Sequence, residues 1–166
     1  MDVSAAARLA LAFAALVPLP GAAQDQYALL IGGLGGSEAY TSAIRQYLFD
    51  AHAAFTGPLG LDGSRVTVLG EPAIVEESVV DGIANAERIR QAFADLKAEV
   101  TPEDHLYVVL FGHGSFDGTD AVLNIARRDL TSADYAQLLD TIQAGRLVFI
   151  NTALSLIHIS EPTRPY

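Results

Sequence analysis

Four short apolar runs alternate with three amphipathic helical patterns, and this alternation constrains the fold more than any other feature. The first run, Tyr27 to Ile31, is apolar throughout and ends in Gly32-Gly33, which suits a strand buried on both faces of a sheet. A helical stripe follows, with Ile44, Tyr47, Leu48, Ala51 and Phe55 at spacings of three and four, and stops near Gly57-Pro58. Arg65 to Leu69 is a second strand, Leu106 to Phe111 a third and Leu147 to Ile150 a fourth. Pro72 to Gly82 carries acidic residues without a period and is expected to be an exposed loop. Asn85 then caps a helix whose buried stripe is Ile89, Ala92, Phe93 and Leu96. Gly112 to Asp120 is turn-rich, and Ala121 to Ile125 suits one arm of a hairpin. Thr131 and Asp134 are spaced as a capping box before Tyr135, Leu138, Leu139 and Ile142, a stripe ended by Gly145. The expected class is α/β: a three-layer α/β/α sandwich with a mainly parallel sheet and right-handed crossovers.

The chain has 166 residues, a formal charge of -10 and no cysteine. Its length suits one domain with a real core. So acidic a surface, with no basic cluster, argues against nucleic acid and anionic membranes as partners. Disulfides and thiolate metal sites are excluded for this chain. The amino terminus reads as a secretory signal over 1–23: Arg8 is a thin positive region, Leu9 to Leu19 an apolar stretch too short to span a bilayer, and Gly21-Ala22-Ala23 a small-residue cleavage site. An amphipathic first helix fits less well, because Leu9 to Val17 is apolar all round and Pro18 and Pro20 break it. Export to a periplasm or the exterior is expected, with no membrane insertion after cleavage.

In parallel sheets, ligands and catalytic groups gather beyond the carboxyl ends of the strands. Three stretches fall there: Gly32-Gly33-Leu34-Gly35-Gly36-Ser37, Gly112-His113-Gly114-Ser115 and Asn151-Thr152-Ala153. The glycine loop could cradle a phosphate, with Glu71 where a ribose-binding acid would sit, but the third glycine of a G-x-G-x-x-G pattern is replaced by Glu38 and no P-loop lysine follows. A tight turn with close backbone packing fits better, and no cofactor is expected. His113 has no companions at zinc-ligand spacing, so no metal is expected. It follows a fully apolar strand, is flanked by glycines, and carries an imidazole suited to proton transfer. A plain surface histidine is the competing reading.

The order of strand, glycine-rich loop, helix, strand, helix, strand ending in His113-Gly114, hairpin, helix and strand ending in Asn151-Thr152-Ala153 resembles the caspase-like cysteine peptidases, closest to the legumain-type branch. "LYVVLFGHGS" followed by "RLVFINTA" carries most of the resemblance, which spans Tyr27 to Ala153. It implies that His113 is the catalytic acid/base and that the Gly114 N–H helps hold the oxyanion. It implies a cleft wall built partly by the first loop, with Gly32, Gly33, Gly35, Gly36 and Ser115 beside a peptide or protein substrate. The nucleophilic cysteine of the family comes directly after the small residue at the end of the next strand. Ala153 matches that small residue, and position 154 is Leu.

Leu154 to Arg164 can be written, codon for codon, as the transposase adapter used in sequencing libraries. The expectation is that residues 154–166 are translated adapter, that 24–153 form a partial caspase-like domain incomplete at its carboxyl end, and that this chain is inactive. A genuine further strand from Leu154 to Ile159 is the alternative. Two other functional readings stay open: a non-catalytic caspase-like binding scaffold, and an α/β serine hydrolase in which His-Gly belongs to an oxyanion loop. His52 and His105 lie away from any strand's carboxyl end and are expected to be structural or surface residues.

Overall fold

A computed structural model describes residues 24–116 and 119–155. The expected signal sequence and residues 156–166 of the expected adapter tail lie outside them. The central sheet has five parallel strands: β1 Gln26–Gly32, β2 Val66–Gly70, β3 Gly82–Ile83, β4 His105–Phe111 and β8 Arg146–Asn151, in the order β3-β2-β1-β4-β8. Among the described residues, three helices, α1 Glu38–Thr56, α2 Ala86–Glu99 and α3 Ser132–Asp140, cover its faces. The fold is thus the α/β class expected, a three-layer sandwich.

Period-two alternation along β1 divides the core. Ala28 and Leu30 meet Ile44, Leu48 and Phe55 of α1, whereas Leu29 and Ile31 meet Ile89, Phe93 and Leu96 of α2 and Tyr135 of α3. The helix starts expected from the sequence are present. The Asn85 side chain accepts the Arg88 N–H, and Thr131 and Asp134 form a reciprocal capping box. At the amino edge of the sheet, buried Asp104 ties two strands together. Its Oδ1 accepts the Asp25 N–H at 2.8 Å, and its Oδ2 accepts the Thr101 N–H at 2.9 Å and hydroxyl at 2.8 Å.

Three expectations need correction, and one strand proves to lie at an edge. Pro72 to Gly82 is not simply an exposed loop: Pro72–Ile74 form a 3-10 turn with Ile74 buried, and β3 extends the sheet. Asp81 makes this possible by exchanging bonds with the Val68 backbone through its N–H and Oδ2. Tyr47 is 55% exposed rather than in the core. At about 100° per residue it lies some 100° from Leu48 around the helix, on the flank of the buried stripe. The last helix stops at Asp140, and Ile142 is buried from the turn beyond it. Finally, β8 is an edge strand, with Leu147, Phe149 and Ile150 each more than a third exposed.

A second, small sheet rises from the carboxyl edge of the first. It contains β5 His113–Phe116, β6 Ala121–Leu123, β7 Leu130–Thr131 and β9 Leu154–Ser155, in the order β7-β6-β5-β9. β5 and β6 pair antiparallel, as the expected hairpin requires, and β5 pairs with β9 in parallel.

Candidate active site

The site is assembled where β4 and β8 end side by side. β4 runs through Phe111 into Gly112, whose φ of 145° only glycine adopts without strain, and the chain redirects into β5 with His113 first. The Gly112 backbone also packs against Gly33: a Cβ on Gly112 would lie 3.2 Å from the Gly33 Cα. Beside it, β8 ends in a turn held by Thr152 and Asn151. The Thr152 N–H and hydroxyl both donate to the Leu110 carbonyl, at 2.9 and 2.8 Å, and the Asn151 Oδ1 accepts the Ala153 N–H at 2.9 Å.

This geometry brings the two expected motifs together. A Cβ on Gly114 would lie 3.6 Å from the Ala153 Cβ, and in the β5–β9 register His113 is the partner of residue 154. The His113 carbonyl accepts the Asn124 N–H at 2.9 Å, so it points toward the β6 side of β5. In a trans peptide the following N–H points the other way. The Gly114 N–H is therefore directed toward Ala153 and β9.

Half-buried His113 packs edge-on against the Tyr40 ring, with centroids 4.5 Å apart and planes at 89°. Among the described residues its ring makes no hydrogen bond or ion pair, so its nitrogens are not committed to a structural partner. Two hollows flank the step from Thr152 to Ala153. One, of about 210 Å³, is lined by His113, Thr152 and α1 residues including Tyr40 and Tyr47. The other, of about 330 Å³, includes Gly114, Ser115, Asn151 and Ala153 in its lining. Successive residues at the strand end thus face alternate hollows.

The residues expected to wall a cleft divide. Exposed Ser115 lines the larger hollow, and Gly36 is exposed with φ 72°. Gly32, Gly33 and Gly35 are buried and serve packing instead. A Cβ on Gly32 would lie 2.5 Å from the Leu48 Cδ1, and one on Gly33 would lie 2.5 Å from the Asn124 carbonyl oxygen. One on Gly35 would collide with the Thr41 backbone. The loop is also stitched across the site, with the Gly33 N–H donating to the Phe111 carbonyl and the Leu34 N–H to the Asn124 carbonyl, both at 2.8 Å. Glu71, considered above for a ribose, is only 6% exposed. Its Oε2 accepts the Gly35 N–H at 3.3 Å, so it braces the loop from behind.

His52 lies within α1, and His105 opens β4 at the opposite edge, with its Nε2 2.7 Å from the Gln24 amide nitrogen. Neither approaches the site. Among the described residues, no group of three His, Asp or Glu side chains is placed to hold a metal ion, and no helix is long and apolar enough to cross a membrane. Tyr47 joins the site although the sequence reading placed it in the core stripe, whereas Thr152 lies in a stretch expected there and Tyr40 closes the loop expected to wall the cleft. Tyr40 and Tyr47 are seven residues apart on one helix face, the signal that could have found them. Compared with known proteins, the chain matches no protein-family model and no curated sequence.

Proposed function

We propose that this chain carries the histidine half of a caspase-like, Cys-His endopeptidase centre, from an exported protein, with the nucleophile belonging at position 154. The observation that supports this reading most is the closeness of two chain segments. Ala153 lies against Gly114, and the residue after Ala153 is the register partner of His113.

A cysteine sulfur at that position would be within reach of the imidazole, which would draw off its proton to form the thiolate. The sulfur then bonds to the scissile carbonyl carbon, and the carbonyl electron pair moves onto oxygen. The Gly114 N–H, once released from its pairing with β9, would stabilise the developing oxyanion. As the carbonyl re-forms, the carbon–nitrogen bond breaks and the leaving amine takes the proton from His113. A water molecule deprotonated by His113 then cleaves the thioester and releases the carboxylate. Leu154 has no proton to give and no nucleophilic atom, so the chain as written does not perform this cycle.

Amplifying the locus from source DNA tests the reading. The expected continuation after Ala153 is a residue other than Leu, with Cys completing the centre. Expressed with that continuation, the protein should cleave peptides, and His113→Ala should lower kcat by at least about a hundredfold. Recovery of the same Leu154 to Arg164 from genomic DNA, or equal activity in wild type and His113→Ala, would overturn the proposal. A serine after Ala153 with no peptide cleavage would favour the binding-scaffold reading instead.

A further inference from the structure

We infer that the hollow between α1 and His113 is the specificity pocket of this centre and takes one uncharged, apolar or aromatic side chain of the peptide. The inference rests on the peptidase reading for its place in a reaction, and on the hollow itself for its chemistry.

The position of the hollow follows from α1. Tyr40, Ala43, Ile44 and Tyr47 recur at helical spacing and make one continuous wall, with His113 and Thr152 opposite. Tyr40 and Tyr47 are 57% and 55% exposed, yet their rings are not loose on the surface. Tyr40 packs on His113, and Tyr47 lies 6.3 Å from the Phe111 ring. Half-buried Ala43 lies between them, where a larger residue would fill the space. Aromatic rings held open around a small residue form a receptor for a hydrophobic or aromatic group.

Size and charge narrow the occupant. About 210 Å³ is below the roughly 300–1,000 Å³ of pockets that enclose whole small-molecule ligands, so a single side chain is the fitting guest. Among the described residues, no Asp, Glu, Lys or Arg lines the hollow. The nearest arginine in sequence, Arg45, is engaged elsewhere: its guanidinium bonds Glu77 at 2.7 Å and lies over the Phe49 ring. The Thr152 hydroxyl is already donated to the Leu110 carbonyl. An ammonium entering this space would lose water without gaining a counter-charge, and a carboxylate would meet only the His113 ring, which the mechanism reserves for the reacting proton. An apolar group would lose nothing and bury its area.

The chain as it exists lacks the nucleophile, which allows binding to be measured apart from cleavage. Blocked peptides acetyl-Ala-Ala-X-amide, with X as Phe, Leu, Asp or Lys, would be titrated into the isotope-labelled protein and followed by NMR. Phe and Leu peptides should shift the Ala43, His113 and Thr152 amide signals and bind at least about tenfold more tightly than Asp or Lys peptides. Ala43→Phe, which fills the hollow, should abolish that preference. Tyr47→Ala, at an exposed position, should weaken it while leaving the fold intact. Ala43→Asp should move the preference toward Lys. Equal binding of all four peptides, or shifts confined to other residues, would overturn the pocket whatever the catalytic test shows. Conversely, selective binding here with no His113-dependent cleavage in the complete protein would keep the pocket and discard the peptidase reading.

Discussion

Removing the Asp104 carboxylate should destabilise the fold without touching the site at the opposite edge of the sheet. The side chain is 4% exposed and accepts three hydrogen bonds, from the Asp25 N–H, the Thr101 N–H and the Thr101 hydroxyl. A buried donor left without a partner costs about 1–3 kcal/mol, but exposed Thr101 can turn to water, so the total for Asp104→Ala should be about 2–4 kcal/mol. Asp104→Asn should recover at most half of this. Its single oxygen can serve one side only, and its NH2 group must then face another donor. For a fold of this size the alanine loss corresponds to a melting temperature lower by roughly 10 °C.

The same contacts give the effect a pH signature. Burial pushes the Asp104 pKa up, but the Thr101 and Asp25 N–H groups, the Thr101 hydroxyl and nearby Arg65 outweigh it and hold the carboxyl below its ordinary value. A group depressed in the folded state contributes stability above its unfolded pKa, about 3.9, and loses it as the pH falls through the folded value. Urea melts of wild type and Asp104→Ala should therefore differ fully at pH 7 and converge below pH 4. Equal stability at pH 7, or a gap that persists unchanged at pH 2.5, would refute the assignment of the energy to this ionised carboxylate.

Three further substitutions probe the other edge. The Tyr135 hydroxyl is buried and has no hydrogen-bond partner among the described residues, and burial together with Asp129 and Asp134 drives its pKa upward. Tyr135→Phe should thus be neutral or stabilising by about 1 kcal/mol in thermal melts, and a loss of that size would show that the hydroxyl has a partner. Gly33→Ala should cost about 1–3 kcal/mol, because its methyl would lie 2.5 Å from the Asn124 carbonyl oxygen, and should also displace the His113 amide signal. Gly36→Ala meets nothing within 4 Å and should show only the backbone penalty of its positive φ, about 1–2 kcal/mol, with the His113 signal unmoved.

The strands that were legible in the sequence are those written as apolar runs, β1, β2, β4 and β8, and the helices are α1, read from its apolar stripe, and the two announced by Asn85 and by Thr131 with Asp134. β3 was not, because Gly82-Ile83 is too short to carry a period and is held by the Asp81 side chain and backbone. β5 reads His-Gly-Ser-Phe, half of it without side-chain preference for a strand, and it forms because β6 and β9 pair with it. An apolar run marks a strand without saying whether it lies at the centre or the edge, which is why the exposure of β8 went unseen. At the site, the pairing of His-Gly with Asn-Thr-Ala could be read from motif order. The tyrosine wall could not, because Tyr47 looks like part of the core stripe until the helix is rotated into place, and Glu71 looks like a ligand contact until it is seen turned inward to Gly35.

The position of β1 at the middle of the sheet has a kinetic consequence. The first strand to be synthesised needs a neighbour on each side, and both β2 and β4 are distant along the chain. Closing such separations before any pairing energy is gained makes folding slow, and until β4 emerges one flank of the most fully buried strand of the central sheet stays open to wrong partners. Nascent chains of this protein should accordingly depend on holding factors until about residue 111 has cleared the ribosome, and refolding from denaturant should favour low concentration.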